Sequence, residues 1–210
     1  MGEVRRFWFE GPAGRLEGML RAAADPSAAA VVAHPHPLHG GTLHNPVVFH
    51  AERELHRLGW TTLRFNFRGV GASDGVHDQG LGEVEDLAAA VAWIRGLAPG
   101  KPLCLVGYSF GSLCGLRYLE RRRHGVDRFT AIGLPVREYD LGDVAALDLP
   151  IGVVQGTMDE FGSPGEVREA LKAARHPVKL LTVADATHLF PGKVQEAASA
   201  VVETCRTLGS

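Results

Sequence analysis

Short apolar runs and helically spaced apolar stripes succeed one another along this chain, divided by glycine- and proline-rich punctuation. Residues 3–9 and 15–21 read as strands joined by Gly11-Pro12-Ala13-Gly14, which predicts a hairpin. A short apolar run at 29–34 follows an alanine-rich stretch turned by Asp25-Pro26-Ser27, and ends in a loop rich in proline and glycine. From 46 to 58, Val47, Val48, Ala51, Leu55 and Leu58 fall at helical spacing, with Pro46 suited to the first turn and Gly59 to the stop. Residues 60–67 read as a strand. A helix is expected over 83–97, striped by Val84, Leu87, Ala88, Val91 and Ile94.

The apolar run 103–106 suits a strand buried on both faces of a parallel sheet. A helix should follow from about 110 to 122, then strands at 129–134 and 151–155. A helix at 164–174, a strand at 178–183 and a closing helix at 193–208 complete the pattern. Strands alternating with helices predict an α/β fold: a mostly parallel, eight-stranded open sheet with right-handed crossovers and helices on both faces. In such sheets, function gathers in the loops at the carboxyl ends of the strands.

Composition narrows the picture. A length of 210 residues fits one domain spanning 1–210, and 45% hydrophobic with 22% charged residues is the balance of an ordinary globular chain. No run approaches the roughly 18–20 apolar residues of a membrane span. With 24 acidic against 22 basic residues the net charge is −2, and no basic stripe is present, so no nucleic-acid partner is expected. Charges occupy the N-terminal stretch where a signal peptide would carry its apolar core, and a cytoplasmic protein is expected. The three cysteines form no CxxC pair, which points to neither a disulfide framework nor a zinc site; Cys104 and Cys114 read as buried, inert thiols.

The chemistry begins at Gly107-Tyr108-Ser109-Phe110-Gly111, which follows one strand and opens a helix. This is a G-x-S-x-G elbow. The turn is so sharp that the flanking positions must lack side chains, and the serine hydroxyl then projects above the sheet edge beside the N–H groups of the helix start. On its own the pentapeptide is also what an ordinary glycine-rich strand-to-helix turn looks like. Two further features have to appear in order, an acid after a later strand and a histidine after the last one. Asp159 follows the strand at 151–155, and His188 follows the strand at 178–183.

Taken with His34-Pro35-His36-Pro37-Leu38-His39-Gly40-Gly41, Asn66-Phe67-Arg68-Gly69-Val70-Gly71, Gly156-Thr157-Met158-Asp159 and Thr187-His188, these motifs carry a resemblance over nearly the whole chain. The chain resembles the α/β-hydrolase superfamily, and within it the small bacterial hydrolases with an HPHP…GG loop. The resemblance implies Ser109 as nucleophile, His188 as its base and Asp159 as the carboxylate that orients the imidazole. Asp140, Asp143 and the adjacent Glu160 are alternative acids. It further implies an oxyanion hole made by the N–H of Phe110 and one N–H of the loop after residue 34. Pro35 and Pro37 have none to give, so His36 is the expected donor and Leu38 the alternative.

His34, His36, His39 and His44 also have the H-x-H spacing of metal ligands, but no acidic cluster accompanies them, and no metal or other cofactor is expected. Asn66 and Arg68 are expected to tie neighbouring loops together, and the basic run 121–124 to be a solvated helix end. Only 16 residues, 135–150, separate the two strands between which such hydrolases insert a cap, so no cap domain is expected. Leu38, Val70, Tyr108, Phe161, Leu189 and Phe190 are the expected apolar lining of a shallow pocket for a small-molecule ester. A peptidase, thioesterase or acyltransferase would use the same three residues, and a non-catalytic binding protein on this fold is the reading from another class.

Overall fold

The computed structural model describes residues 3–121 and 125–207. Eight strands form one sheet: β1 (Val4–Gly11), β2 (Gly14–Arg21), β3 (Ala29–Ala33), β4 (Thr61–Phe65), β5 (Leu103–Tyr108), β6 (Arg128–Ile132), β7 (Ile151–Gly156) and β8 (Lys179–Val183). Their order is β1-β2-β4-β3-β5-β6-β7-β8. The β1–β2 hairpin and the β2–β4 pair are antiparallel, and every pair from β4–β3 onward is parallel. Among the described residues four α-helices connect strands, α1 (Pro46–Arg57), α2 (Gly82–Leu97), α3 (Phe110–Arg121) and α4 (Pro164–Ala170), and α5 (Val194–Thr207) follows β8. This is the mostly parallel, eight-stranded α/β sheet the pattern predicts. Among the described residues no helix is long and apolar enough to cross a membrane.

The two-residue period of the strands divides the core into two layers. Ala29, Val31 and Ala33 of β3 and Leu103 and Leu105 of β5 face Val84, Leu87 and Val91 of α2 and Leu113 of α3. Ala30 and Val32, with Cys104 and Val106, face Val47, Val48 and Leu55 of α1 and Ala197 and Val201 of α5. Cys104, Cys114 and Cys205 are all buried, and the Cys104 and Cys205 sulfurs lie 3.2 Å apart between the sheet and α5.

Some boundaries differ from the sequence pattern, each for a local reason. The fourth strand stops at Phe65 rather than 67, because the Phe67 N–H donates to the His34 ring instead of the ladder. The sixth stops at Ile132, where Gly133 takes a positive φ of 54° and the Leu134 N–H donates to the Gln155 side chain. The helix expected to reach 174 ends at Ala170: a turn bonds Ala174 N–H to Leu171 O, while Arg175 and His176 attach to the β6–β7 connection through Ala145 O and Asp148. Of the basic run 121–124, residues 122–124 lie outside the described residues. Between β6 and β7 the only regular element is a 3-10 turn, Val144–Ala146, so among the described residues no cap stands over the sheet.

One charged cluster is sealed under α1. Glu52, fully buried, pairs with Arg21 at 3.0 Å and lies 3.5 Å from the Arg64 guanidinium, and it accepts a hydrogen bond from Thr62. Removing the carboxylate leaves two arginines in the interior without the charge that balances them. Glu52→Ala is therefore expected to lower the free energy of urea unfolding by about 3 kcal/mol or more. A loss below ~1 kcal/mol would show that water already reaches this cluster.

Candidate active site

The end of β5 turns into α3 within one residue. Ser109 carries that turn with φ of +53°, a left-handed conformation that costs a side-chain-bearing residue free energy and needs the surroundings to enforce it. The surroundings are the two glycines. A Cβ on Gly107 would lie 2.4 Å from the Gly111 carbonyl oxygen, and one on Gly111 would lie 2.7 Å from Ala33 O and 2.8 Å from His34 O. Glycine lets β5, the start of α3 and the end of β3 meet backbone to backbone. Ser109 then stands at the sheet edge, with its N–H bonded to Ile132 O of the neighbouring strand.

The other two expected residues converge on it. The Ser109 hydroxyl donates to His188 Nε2 at 2.8 Å, and His188 Nδ1 lies 3.0 and 3.1 Å from the two oxygens of Asp159. A carboxylate can only accept, so Nδ1 carries the proton and Nε2 is left free to take one. Asp159 and His188 are each 4% exposed, so the chain of hydrogen bonds runs through a nearly dry environment and opens to solvent only at the serine. Asp140 and Asp143 make their contacts elsewhere, with Gly142 N–H and Glu120, and neither faces the imidazole.

Four groups hold this chain in place that the motifs do not name. Gln155, fully buried in β7, donates from Nε2 to Asp159 Oδ2 at 2.9 Å and to Gly162 O at 2.7 Å, and accepts the Leu134 N–H at 2.8 Å. The Phe161 N–H donates to Asp159 Oδ1. The Tyr108 hydroxyl donates to His188 O, and Glu160 accepts the His188 N–H. Partial burial alone would raise the Glu160 pKa. Its own N–H, that of His188 and the nearby imidazole outweigh burial and hold the carboxyl below its ordinary range. A glutamine four residues before the acid was the one signal in the sequence that could have marked this support.

The loop after β3 is built around His34. Its ring is fully buried, with Nδ1–H donating to Pro35 O at 2.7 Å and Nε2 accepting the Phe67 N–H at 3.1 Å. Both nitrogens are thus engaged by backbone, leaving neither for a metal. Burial pushes its pKa down to about 4, so the ring is neutral at pH 7. Beyond it, a short 3-10 turn, Pro37–His39, places the His36 ring 4.8 Å from that of Phe110. The Leu38 N–H is taken by His36 Nδ1 at 3.2 Å, so of the two backbone donors considered Leu38 is the one already engaged. Burial and then the neighbouring His39 and His77 lower the His36 pKa.

Ser109 lies at the floor of an open cleft of about 370 Å³. Pro35, His36, His39, Gly40, Gly41 and Asn45 form one wall; Pro135, Glu138, Tyr139, Glu160, Phe161 and Leu189 form the other. Of the six expected lining residues, Phe161, Leu189 and Tyr108 border this cleft, although the Tyr108 side chain is almost entirely occupied in supporting His188. Three expectations need correction. Val70 is buried within the turn that bonds Ser73 N–H to its carbonyl. Phe190, which has a φ of +52°, is fully buried with its ring 6.3 Å from that of Tyr108 and does not border the cleft. Leu38 is 70% exposed and does not border the cleft. Asn66 and Arg68 tie their loop to its surroundings: Asn66 bonds Glu17 of β2 and the Leu43 N–H of a neighbouring loop, whereas Arg68 forms a two-pronged pair with Asp86 of helix α2 rather than with another loop.

Comparison with known proteins agrees with this fold. The family described by the alpha/beta hydrolase fold matches residues 37–168. A serine hydrolase without a lid from Xanthomonas campestris is 33% identical, with a TM-score of 0.87 over 98% of this chain and 94% of that one. An alpha-beta serine hydrolase homologue from Coxiella burnetii is also 33% identical, with a TM-score of 0.88 over 97% of each chain. An uncharacterized protein of Rickettsia prowazekii is 36% identical over 98% of this chain and 90% of its own length.

The His34 ring gives a measurable pH dependence. The unfolded chain takes a proton on this ring below about pH 6.5, while the folded protein resists it until about pH 4, so its contribution to stability is present above pH 6.5 and is lost as pH falls through that window. Between pH 7 and pH 5 the ring should account for a loss of ~2 kcal/mol in unfolding free energy. His34→Gln should show a correspondingly flatter pH profile in urea titrations; equal slopes for the two proteins would mean that the ring already charges in the folded state.

Proposed function

This chain belongs to the α/β-hydrolase family and is a hydrolase, and from that premise we propose that it cleaves small carboxylic esters through an acyl-enzyme on Ser109. The observation that carries this reading is the unbroken hydrogen-bonded chain from Ser109 Oγ through His188 to Asp159, opening into an uncovered cleft.

In this reading Ser109 Oγ attacks the ester carbonyl while His188 Nε2 takes its proton. Asp159 holds the tautomer with Nδ1 protonated and stabilises the imidazolium as it forms. The N–H groups of Phe110 and His36 receive the negative oxygen of the tetrahedral intermediate, and the helix start at Phe110 adds a favourable dipole. His188 then hands its proton to the departing alkoxide. Water, deprotonated by the same imidazole, attacks the acyl-enzyme, and Ser109 leaves with the proton returned. Gln155 acts at one remove by fixing the Asp159 carboxylate, and the family resemblance and the absence of a cap among the described residues favour short, accessible substrates.

A fluorophosphonate probe should label the protein, and Ser109→Ala should abolish labelling and lower kcat/KM on p-nitrophenyl acetate by about four orders of magnitude. Labelling that persists in the variant would move the nucleophile elsewhere. A wild-type protein that neither labels nor cleaves any activated ester would favour the binding-protein reading instead.

A further inference from the structure

The two walls of the cleft differ in chemical character. On the β3 side stand histidines, glycines and Asn45, and His36 is the less basic for its surroundings. On the side built by the loops after β6 and β7 stand two carboxylates, Glu138 and Glu160, interleaved with the rings of Tyr139 and Phe161. Among the described residues no lysine or arginine lines either wall.

Glu138 is the informative residue. The surface glutamates Glu166, Glu169 and Glu196 each hold an arginine or lysine within hydrogen-bond reach. Glu138 faces the cleft with no side-chain partner among the described residues, and its charge is felt by the adjacent Tyr139 phenol, whose pKa burial and then Glu138 push up. The nearest arginine on the same loop, Arg137, does not neutralise it. That guanidinium is paired with Glu166 at 2.8 Å and donates to the Glu160 carbonyl on the outer side. Two carboxylates border the cleft on one side beside the aromatic residues Tyr139 and Phe161, a composition that attracts a cation by charge and suits it to aromatic contact.

We propose that the cleft is charge-selective: the non-reacting part of its preferred substrate is cationic, an amine or quaternary ammonium group seated against the wall of Glu138, Tyr139, Glu160 and Phe161. The inference rests on the ester-hydrolase reading of Ser109 and deepens it. It disfavours substrates that carry phosphates or carboxylates near the scissile bond, including polyphosphorylated acyl thioesters, because they would meet like charge without a counter-ion.

Two matched substrate series test this. In one, p-nitrophenyl esters carry acyl chains of equal length ending in an ammonium, a methyl or a carboxylate group. In the other, a butyryl thioester of choline is compared with its neutral 3,3-dimethylbutyl analogue, so that the cation lies on the leaving group. In at least one series kcat/KM for the cation should exceed that for the neutral compound by about three- to tenfold at low ionic strength, and the carboxylate ester should fall below both. The ratio should shrink in 0.5 M salt, roughly as screening of a solvent-facing charge requires. Glu138→Gln should bring the cation-to-neutral ratio, measured within that variant, towards unity. Equal rates for charged and neutral compounds in both series, or a preference that survives Glu138→Gln unchanged, would overturn the charge selectivity while leaving the esterase reading intact. If no ester is cleaved and Ser109 is not labelled by a fluorophosphonate, the reading of the site fails and this inference fails with it.

Discussion

The close approach of three backbone segments at Gly107 and Gly111 is the constraint on which the rest of the site depends. The left-handed turn at Ser109 is unfavourable in isolation and persists because β5, α3 and the end of β3 are packed around it at distances that no side chain would allow. The same contact decides where everything else must stand. With α3 pressed against the carbonyls of Ala33 and His34, the loop after β3 has to pass directly beside the start of α3. Since β6, β7 and β8 follow β5 in the sheet, their loops arrive on the opposite side of the serine, bringing Pro135 to Tyr139, Asp159 and His188. A cleft between these two groups of loops is a consequence of the strand order.

Much of this was legible in the chain, because it depends on residues with few structural alternatives. The elbow glycines, the acid after β7 and the histidine after β8 are each the kind of residue their position demands, and the structure brings all three polar side chains into one hydrogen-bonded line. The apolar stripes of α1 and α2 likewise lie in the two core layers. What was not legible is the direction in which loop side chains point. Phe190 and Leu189 are both expected in the pocket, yet Phe190, which has a positive φ, is fully buried while Leu189 is 67% exposed. Periodicity says nothing about a left-handed residue in a loop. Gln155 was missed for a different reason: in a strand whose side chains are otherwise apolar or absent, a lone amide carries no pattern, and its value lies entirely in what it reaches.

The buried polar groups form a supporting layer beneath the reactive one. Gln155 satisfies the Gly162 carbonyl, the Leu134 N–H and the Asp159 carboxylate at once, while His34 bonds two backbone groups that would otherwise be stranded under the β3 loop. Each of these side chains joins segments distant in sequence. They position the loops more firmly than apolar packing would, since a hydrogen bond fixes direction as well as distance.

An uncovered cleft also changes how selection among substrates can work. Where a cap closes over a substrate, apolar enclosure discriminates by size, and one methylene is worth roughly 1–3 kcal/mol. Here the cleft is open, and its apolar lining, Pro35, Pro135, Phe161 and Leu189 among it, does not enclose a substrate on all sides. In the proposed reaction, orientation then has to come from groups that act across solvent-facing space, which means charge at the rim, and from a rigid loop after β3, the proposed source of an oxyanion donor. The doubled proline and the His34 anchor give the second property. The asymmetric wall of Glu138, Tyr139, Glu160 and Phe161 is the part of the rim equipped to give the first. Because such a field weakens with salt, selectivity in an open cleft of this kind is bound to depend more on ionic strength than that of an enzyme that buries its substrate.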